Sequence, residues 1–255
     1  MLPRHQTEAF SWLEEGEGEP VLFLHPVIAT AEFWLPQLRA FASSRRCLAL
    51  DAPGYDGRIS MPLDPTDLGH RIAAFLNERE IDRVDVVGLS LGGMHAMYAM
   101  YADPQRIGRV VLADTSPAFG IDPDAWLADW LAPLDVGTTP GELVEASIDS
   151  IVHAPIPPAV RAPVIEAAQK ITEGGLRAAS STIAAHDMRG RLPTMEHEVL
   201  VVVGEHDGET PPEYSAALAE TLPNARLAVV PDAGHLSSLE QPDAFNALLE
   251  KFLVS

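Results

Sequence analysis

The chain has 255 residues, 47% of them hydrophobic and 21% charged, so it is long enough to bury a substantial core and its composition excludes global disorder. Its 37 acidic and 17 basic residues give a net charge of −20, which repels phosphate backbones and anionic lipid headgroups, and the sequence has no basic patch, so we expect neither nucleic-acid nor membrane binding. Cys47 is the only cysteine, which excludes a disulfide framework, and the absence of a signal segment or an apolar span predicts a cytoplasmic protein.

Short apolar runs recur along the chain, the first at 21–24 after an acidic stretch at 14–19 that we interpret as a turn. The later runs lie at 47–50, 84–87, 110–113, 199–203 and 227–230. Most are separated by amphipathic segments with helical spacing, such as 33–41, 68–76 and 214–222. Strands that alternate with helices predict an α/β fold with a mostly parallel, doubly wound sheet.

The interval 117–189 lacks strand-like runs but contains several helix starts. The starts are Asp122-Pro123, Thr139-Pro140 and Pro157-Pro158, and Gly174-Gly175 precedes a fourth helix predicted to run to about Met188. A helical stretch of this length is too long for an ordinary connection. The sequence therefore predicts a helical cap at 117–189, inserted in a core formed by 1–116 and 190–255.

The pattern Gly88-x-Ser90-x-Gly92 follows a predicted strand and precedes a predicted helix. A serine on a sharp strand-to-helix turn needs small neighbours, and the helix behind it directs backbone N–H groups at an oxyanion near the serine. This context favours Ser90 as a nucleophile.

A nucleophilic serine needs a base and an acid that orients the base. Asp207 follows the run at 199–203, and His235 follows the run at 227–230, so both are predicted at the carboxyl ends of strands beside Ser90. Glu205 and Asp232 lie close enough along the chain to replace Asp207 as the acid, and Asp114, after the run at 110–113, is a further alternative.

These motifs resemble the α/β-hydrolase superfamily over nearly the whole chain. They are Gly88-x-Ser90-x-Gly92, the strand–Gly–x–x–Asp element ending at Asp207, Gly234-His235 followed by Glu240-Gln241-Pro242, and Asp51-x-Pro53-Gly54-Tyr55. The helical cap, Phe33-Trp34-x-Pro36-Gln37 and His235-Leu236-Ser237 look most like 3-oxoadipate enol-lactonases and related small esterases.

The resemblance implies that Ser90 is the nucleophile, His235 the general base and acid, and Asp207 the orienting carboxylate. It also implies an oxyanion hole built from the backbone N–H groups of Leu91 and of a residue in the loop after Leu24. The superfamily usually has His-Gly there, whereas this chain has His25-Pro26. Proline has no N–H, so we expect Val27 to be the second donor.

Side chains predicted to contact substrate are Trp34, Trp130, His153 and Met188. Trp130 lies one helical turn after Trp126, a spacing that is also typical of packing between cap and core. His206-Asp207 has no other histidine or carboxylate at ligand spacing, so we expect no metal, and no nucleotide-binding motif indicates a cofactor.

The predicted function is hydrolysis of an ester or lactone bond in a small molecule, with an ester, a lactone or a related carbonyl compound as the only expected partner. The oligomeric state is not predicted. The same residues support hydrolysis of a carbon–carbon bond, or lyase or cyclase chemistry on a polyketide-like substrate. A third alternative is a ligand receptor without catalysis. The net charge disfavours dianionic substrates unless arginines such as Arg161, Arg177 or Arg189 line the pocket.

Overall fold

The computed structural model describes residues 2–57 and 64–254 and has an eight-stranded central sheet. The strands are β1 (Arg4–Gln6), β2 (Ser11–Glu15), β3 (Pro20–Leu24), β4 (Arg46–Leu50), β5 (Val84–Leu89), β6 (Ile107–Ala113), β7 (Val199–Gly204) and β8 (Ala225–Val230). Their order in the sheet is β1-β2-β4-β3-β5-β6-β7-β8. β2 pairs antiparallel with β1 and β4, and all the other pairs are parallel.

Helices connect the parallel strands and cover the sheet. They are α1 (Leu35–Phe41), α2 (Pro65–Glu78), α3 (Leu91–Ala102), α4 (Pro123–Asp135), α5 (Pro140–Ile151), α6 (Pro158–Ala168), α7 (Glu173–Ala184), α8 (Pro212–Thr221), α9 (Ser237–Glu240) and α10 (Pro242–Leu253). Short 3₁₀ turns occur at Ala31–Trp34 and Leu192–Thr194. This architecture confirms the predicted α/β-hydrolase fold class.

The central strands are apolar and buried along almost their whole length, as a parallel sheet covered on both faces requires. β8 differs because it forms the edge, and Leu227 and Val229 on one of its faces are exposed. The antiparallel strands β1 and β2 were not predicted. The acidic stretch interpreted as a turn begins inside β2, since Glu14 and Glu15 pair with β4 and only the residues after them turn.

Helices α4 to α7 lie between β6 and β7, in the interval where the cap is predicted. Asp122 caps α4 by accepting from the backbone of Asp124 and Ala125, and Thr139 forms a capping box with Glu142 at the start of α5. α7 departs from its prediction because Thr172 is its N-cap, so both glycines lie within its first turn, and it ends at Ala184. The division of the chain into a core and a cap domain stays a prediction.

The two ends of this helical insertion are joined by backbone hydrogen bonds. Phe119 N donates to His186 O at 2.9 Å, and Met188 N donates to Pro117 O at 2.9 Å. The insertion is therefore closed at its base, above the carboxyl end of β6. In the described part of the chain no helix is both long and apolar enough to cross a membrane.

Candidate active site

Ser90 occupies the sharp turn between β5 and α3. Its backbone angles are φ 55° and ψ −118°, a left-handed conformation that residues with side chains rarely adopt. A Cβ at Gly88 would collide with the carbonyl of Gly92, and a Cβ at Gly92 would collide with the carbonyl of Leu24. This close backbone approach is the physical reason for the two glycines of the motif.

The side chains of Ser90, His235 and Asp207 form one buried, hydrogen-bonded row. Ser90 Oγ lies 3.0 Å from His235 Nε2, and His235 Nδ1 lies 3.0 Å from each oxygen of Asp207. Thr210 fixes Asp207, because its hydroxyl donates to Oδ2 at 2.8 Å and its backbone N–H donates to Oδ1 at 3.0 Å. The three side chains that the sequence grouped together therefore lie in hydrogen-bonding contact.

The electrostatics of the row keep Asp207 ionised. Burial lowers the pKa of His235, but the charge of Asp207 and the hydrogen bond to it raise that pKa by more, so the net direction is upward. Burial raises the pKa of Asp207, whereas His235 and Thr210 lower it, and the net direction is downward. A carboxylate on Nδ1 leaves Nε2 as the nitrogen that faces Ser90, in position to accept a hydrogen bond from its hydroxyl.

The loop after β3 is held by hydrogen bonds and brings Val27 to the site. The hydroxyl of Tyr55 donates to Val27 O at 2.7 Å. His25 Nε2 accepts from Ala52 N at 2.8 Å, so its Nδ1 carries the proton and donates to Pro26 O at 2.8 Å. Burial lowers the pKa of His25 to about 4, which keeps this ring neutral and structural.

Two backbone N–H groups are candidates for the oxyanion hole. Leu91 is the first residue of α3, and the first N–H groups of a helix have no acceptor within that helix. Val27 lines the same cavity as Ser90. Their role as donors stays a prediction.

Asp114 is a second buried carboxyl beside the row, at the end of β6 and at φ 44°. Its Oδ1 accepts from Gly204 N at 2.8 Å, and its Oδ2 accepts from the hydroxyl of Ser237 at 2.6 Å. Burial raises the pKa of Asp114 to about 8, and the charge of Asp207 adds to the increase. This alternative acid therefore bonds the loops around His235, whereas Asp207 bonds the ring itself.

Glu240 holds the backbone on both sides of His235. Its Oε2 accepts from Gly234 N at 2.9 Å and its Oε1 accepts from Leu236 N at 3.1 Å. The same Oε2 accepts from the backbone N–H groups of His153 and Ala154, at 2.7 and 2.8 Å, in the segment after α5. One buried carboxylate thus joins the helical insertion to the loop that carries His235.

Ser90 and His235 open onto a cavity of about 400 Å³, a volume typical of small-molecule sites. Its aromatic wall consists of Phe119, Trp126, Trp130 and Tyr214, and its aliphatic surface includes Val27, Ile28, Met94, Ile121, Ile151 and Ile183. Trp126 and Trp130 are stacked at 6.4 Å with ring planes 10° apart, and Trp130 Nε1 donates to Ser180 Oγ at 3.0 Å. The aromatic wall is therefore fixed in orientation.

Of the side chains predicted to contact substrate, only Trp130 is among the residues that line this cavity. Trp34 is fully buried and packs on Phe23, Phe33 and Phe245, so the prediction that it contacts substrate is corrected. The position of a residue after a loop does not specify the direction in which its ring points.

The predictions that Met188 and His153 contact substrate are corrected in the same way. Met188 is fully buried and its sulfur accepts from the guanidinium of Arg191. His153 is exposed on the outer surface, where its ring contacts that of His206.

Several cavity residues were not predicted. Met94 lies one turn after Ser90 on α3, so helical spacing could have identified it. Phe119 lies about 90 residues before Glu209 and Tyr214 in the chain, and only the fold brings it to the same cavity. No local sequence signal indicates them.

Within residues 2–57 and 64–254, one group of side chains has ligand atoms close enough together for a metal ion. It consists of His153, His206 and Asp232, whose ligand atoms all lie within 4.8 Å of one another. All three are exposed and lie outside the cavity. Glu205, considered above as an alternative acid, is also exposed, and its carboxylate lies 3.8 Å from His206 Nε2.

Comparisons with known proteins agree with this fold. A family model described as the alpha/beta hydrolase family matches residues 21–248. The chain is 26% identical to 3-oxoadipate enol-lactonase 2 of Acinetobacter baylyi, over 96% of this chain and 93% of the relative. It is 25% identical to a pimeloyl-[acyl-carrier protein] methyl ester esterase of Nitrosospira multiformis, over 93% of this chain and 95% of the relative.

Solved structures resemble the chain over its full length. A hydrolase from Pseudomonas aeruginosa has a TM-score of 0.86 at 28% identity. The match covers 100% of this chain and 98% of that one. The enol-lactonase from Burkholderia xenovorans has a TM-score of 0.85 at 23% identity, with 99% of this chain and 100% of that one covered, and it shows likeness of fold alone.

Proposed function

The chain belongs to the alpha/beta hydrolase family, and from this membership we propose that it hydrolyses an ester or lactone bond of a small, uncharged molecule, with Ser90, His235 and Asp207 as catalytic residues. The observation that carries the proposal is the row of hydrogen bonds in which one ring nitrogen of His235 contacts Ser90 Oγ and the other contacts Asp207, at the wall of a cavity. Serine, base and orienting acid in this arrangement perform acyl transfer.

Acylation is the first half of the proposed reaction. His235 Nε2 removes the proton of Ser90 as its Oγ attacks the carbonyl carbon, and the carbonyl oxygen becomes an oxyanion that the N–H groups of Val27 and Leu91 stabilise. Asp207 stabilises the imidazolium. When the ester bond breaks, His235 transfers its proton to the departing alkoxide, which leaves an acyl group on Ser90.

Deacylation repeats these steps with water. His235 Nε2 removes a proton from a water molecule, whose oxygen attacks the acyl carbon and forms a second oxyanion. The oxyanion collapses, the bond to Ser90 Oγ breaks, and His235 returns the proton to Ser90. The carboxylic acid product leaves, and the residues regain their starting protonation.

The cavity wall supports an uncharged, partly aromatic substrate. Among the cavity-lining residues that the structure describes, the titratable side chains are His235, Glu209 and the phenol of Tyr214. Glu209 is the one carboxylate among them. Glu209 and the net charge of −20 both repel a carboxylate in the substrate. Phe119 and the stacked Trp126 and Trp130 offer flat apolar surface for a ring or an alkyl chain.

The arginines that would have favoured a dicarboxylate are paired elsewhere. Arg161 bonds Asp149 and Arg189 bonds Asp187. Arg177 bonds Asp135 and Glu173. The lactonase from Acinetobacter baylyi is named for 3-oxoadipate, and we propose a different, uncharged substrate for this chain.

The direct test is proton release at constant pH from a panel of uncharged esters, lactones and β-diketones. We expect turnover of an ester or lactone by the wild type, and a fall in kcat of about 10⁴-fold or more in Ser90→Ala. Ser181→Ala is the matched control, since Ser181 is an exposed serine on α7 whose hydroxyl bonds only its own helix in the described structure.

Each outcome of the panel is informative. Near wild-type turnover in Ser90→Ala would contradict the assigned roles. Activity confined to diketones would indicate carbon–carbon bond hydrolysis. A ligand that binds in the cavity without turnover would indicate a receptor.

The substrate charge is tested with two aryl esters of similar length, a nitrophenyl butyrate and a nitrophenyl hemisuccinate. We expect kcat/KM to be about tenfold higher or more for the uncharged ester. A substrate carboxylate at this wall would be repelled by Glu209 and would lose its hydration. Glu209→Gln should raise the value for the anionic ester by about threefold and leave that for the butyrate unchanged. Equal values for both esters would overturn the substrate class while leaving the reaction intact.

A further inference from the structure

We propose that His153, His206 and Asp232 form a surface site for one divalent transition-metal ion of the zinc type. The ligand atoms of the three side chains lie within 4.8 Å of one another, and the imidazole rings are 3.8 Å apart at their centroids. The site lies outside the cavity, so this proposal is independent of the proposed reaction.

The three residues come from three separate segments that the fold holds together. His153 follows α5, His206 follows β7, and Asp232 follows β8. The backbone N–H of His206 donates to Ala233 O at 2.8 Å, which joins the second and third segments, and the N–H of His153 donates to Glu240 at 2.7 Å. The ligands are therefore gathered before an ion binds.

The backbone of Asp232 is also fixed. Its N–H donates to the carboxylate of Glu205 at 3.3 Å, and its carbonyl accepts from the side chain of Gln241 at 3.0 Å. Glu205 lies 3.8 Å from His206 Nε2, so a second carboxylate is within reach of the same ion. The available donors are two imidazoles and one or two carboxylates.

This donor set suits zinc. Zinc takes imidazole nitrogen at about 2.0 Å and carboxylate oxygen at about 2.1 Å in tetrahedral geometry, which places neighbouring ligand atoms about 3.4 Å apart. The ligand atoms lie within 4.8 Å of one another, so they need to close by at most about 1.4 Å to reach that spacing, and exposed side chains do so by small rotations about χ1 and χ2. The net charge of −20 raises the local concentration of divalent cations.

An ion at this position would cross-link the helical insertion to both loops of the catalytic row. His206 directly precedes Asp207, Asp232 lies shortly before His235, and His153 belongs to the insertion. Binding that requires all three segments in their folded positions stabilises the folded chain. It also restricts movement of the insertion relative to the row.

The test uses the untagged full chain after treatment with a chelator and removal of that chelator. Zinc chloride is titrated by calorimetry, and thermal unfolding is followed with and without zinc. We expect one ion per chain, and a rise in Tm of about 5 °C at a hundredfold excess over Kd. His153→Ala, His206→Ala and Asp232→Asn should each weaken binding by about tenfold or more.

His70→Ala is the matched control, because His70 is an exposed histidine on α2 that is not part of the cluster. It should bind zinc as the wild type does. Hydrogen exchange adds a second measurement, and zinc should slow exchange at 152–154 and 205–207. No saturable binding by the wild type, unchanged binding in His153→Ala, or protection confined to other segments would each overturn the proposal.

Discussion

At the scale of single residues, the contact between His235 and Asp207 governs the pH range in which His235 can act as the proposed base for Ser90. The pKa of His235 is raised above its ordinary value of 6.5, so the ring carries a proton at mildly acidic pH and cannot accept one from Ser90. We therefore expect kcat/KM to rise with pH, with a midpoint above 6.5. The measurement is hydrolysis of an uncharged ester from about pH 5 to pH 9.

Asp207→Asn separates the effect of the Asp207 charge on the pKa of His235 from a general loss of structure. The amide keeps the shape of the side chain but removes the charge that raises the pKa of His235. The midpoint should move to lower pH, and kcat should fall by about 10⁴-fold because the ring loses its orienting partner. A midpoint that does not move in this variant would show that another group titrates.

Asp114 gives a prediction about stability. Its carboxyl ionises near 3.8 when unfolded and at about 8 when folded, so the folded chain holds this proton more tightly. The stabilisation that it contributes is complete below about pH 4 and is lost as the pH rises towards 8. In Asp114→Asn, which is uncharged at every pH, the free energy of unfolding should fall less over this range.

Asp114→Ala serves as the comparison for the hydrogen bonds. It leaves Gly204 N–H and the hydroxyl of Ser237 without their buried acceptor. We expect it to lower the free energy of unfolding by about 2 kcal/mol at about pH 4, as measured by urea denaturation, and the difference from the wild type should narrow as the pH rises towards 8 because alanine has no carboxyl to ionise. If the alanine and asparagine variants behave alike, the carboxyl has no role as an acceptor.

At the scale of elements, Glu240 at the end of α9 joins the helical insertion to the loop that carries His235. Its carboxylate accepts four backbone N–H groups, from His153, Ala154, Gly234 and Leu236. Glu240→Gln replaces one acceptor oxygen by an NH₂ group that faces donors. We expect a loss of about 2 kcal/mol in unfolding free energy and a fall in kcat of about tenfold, measured well below Tm.

Glu250→Gln removes the same charge from an exposed position on α10 and should leave both quantities unchanged. The pH dependence of kcat/KM should have the same shape in Glu240→Gln as in the wild type. The reason is that Glu240 bonds the backbone on either side of His235 and not the imidazole ring. Wild-type kcat in Glu240→Gln would contradict this positioning role.

At the scale of the whole molecule, the net charge of −20 acts on any charged substrate that approaches the cavity. Raising the ionic strength from about 0.01 M to about 0.1 M shortens the Debye length from about 30 Å to about 10 Å. We expect kcat/KM for the hemisuccinate ester to rise over this range and kcat/KM for the butyrate to stay constant. A parallel change for both esters would show that salt acts on the protein rather than on the encounter.

The sequence predicts the molecule well wherever the pattern is local. The buried parallel strands are continuous apolar runs, and the start of α5 carries its own N-cap in Thr139, so both can be identified without a structure. β1 escapes detection because this edge strand, Arg4–Gln6, is polar and short. β2 escapes detection because Glu14 and Glu15, its last two residues, belong to the acidic stretch that we interpret as a turn. Trp34 and Met188 were placed wrongly because burial is decided by neighbours distant in the chain, and the grouping of His153 with His206 was missed for the same reason.

The left-handed backbone of Ser90 has a consequence for how this protein would respond to selection. Holding a serine at φ 55° costs about 1–3 kcal/mol, and glycine at the same position removes most of that strain. A laboratory evolution experiment that selects for heat resistance alone should therefore enrich Ser90→Gly, which removes the proposed nucleophile and keeps the cavity. A variant selected in this way would be more stable and would bind the proposed substrate without hydrolysing it. A single substitution would thus change the proposed enzyme into a binding protein.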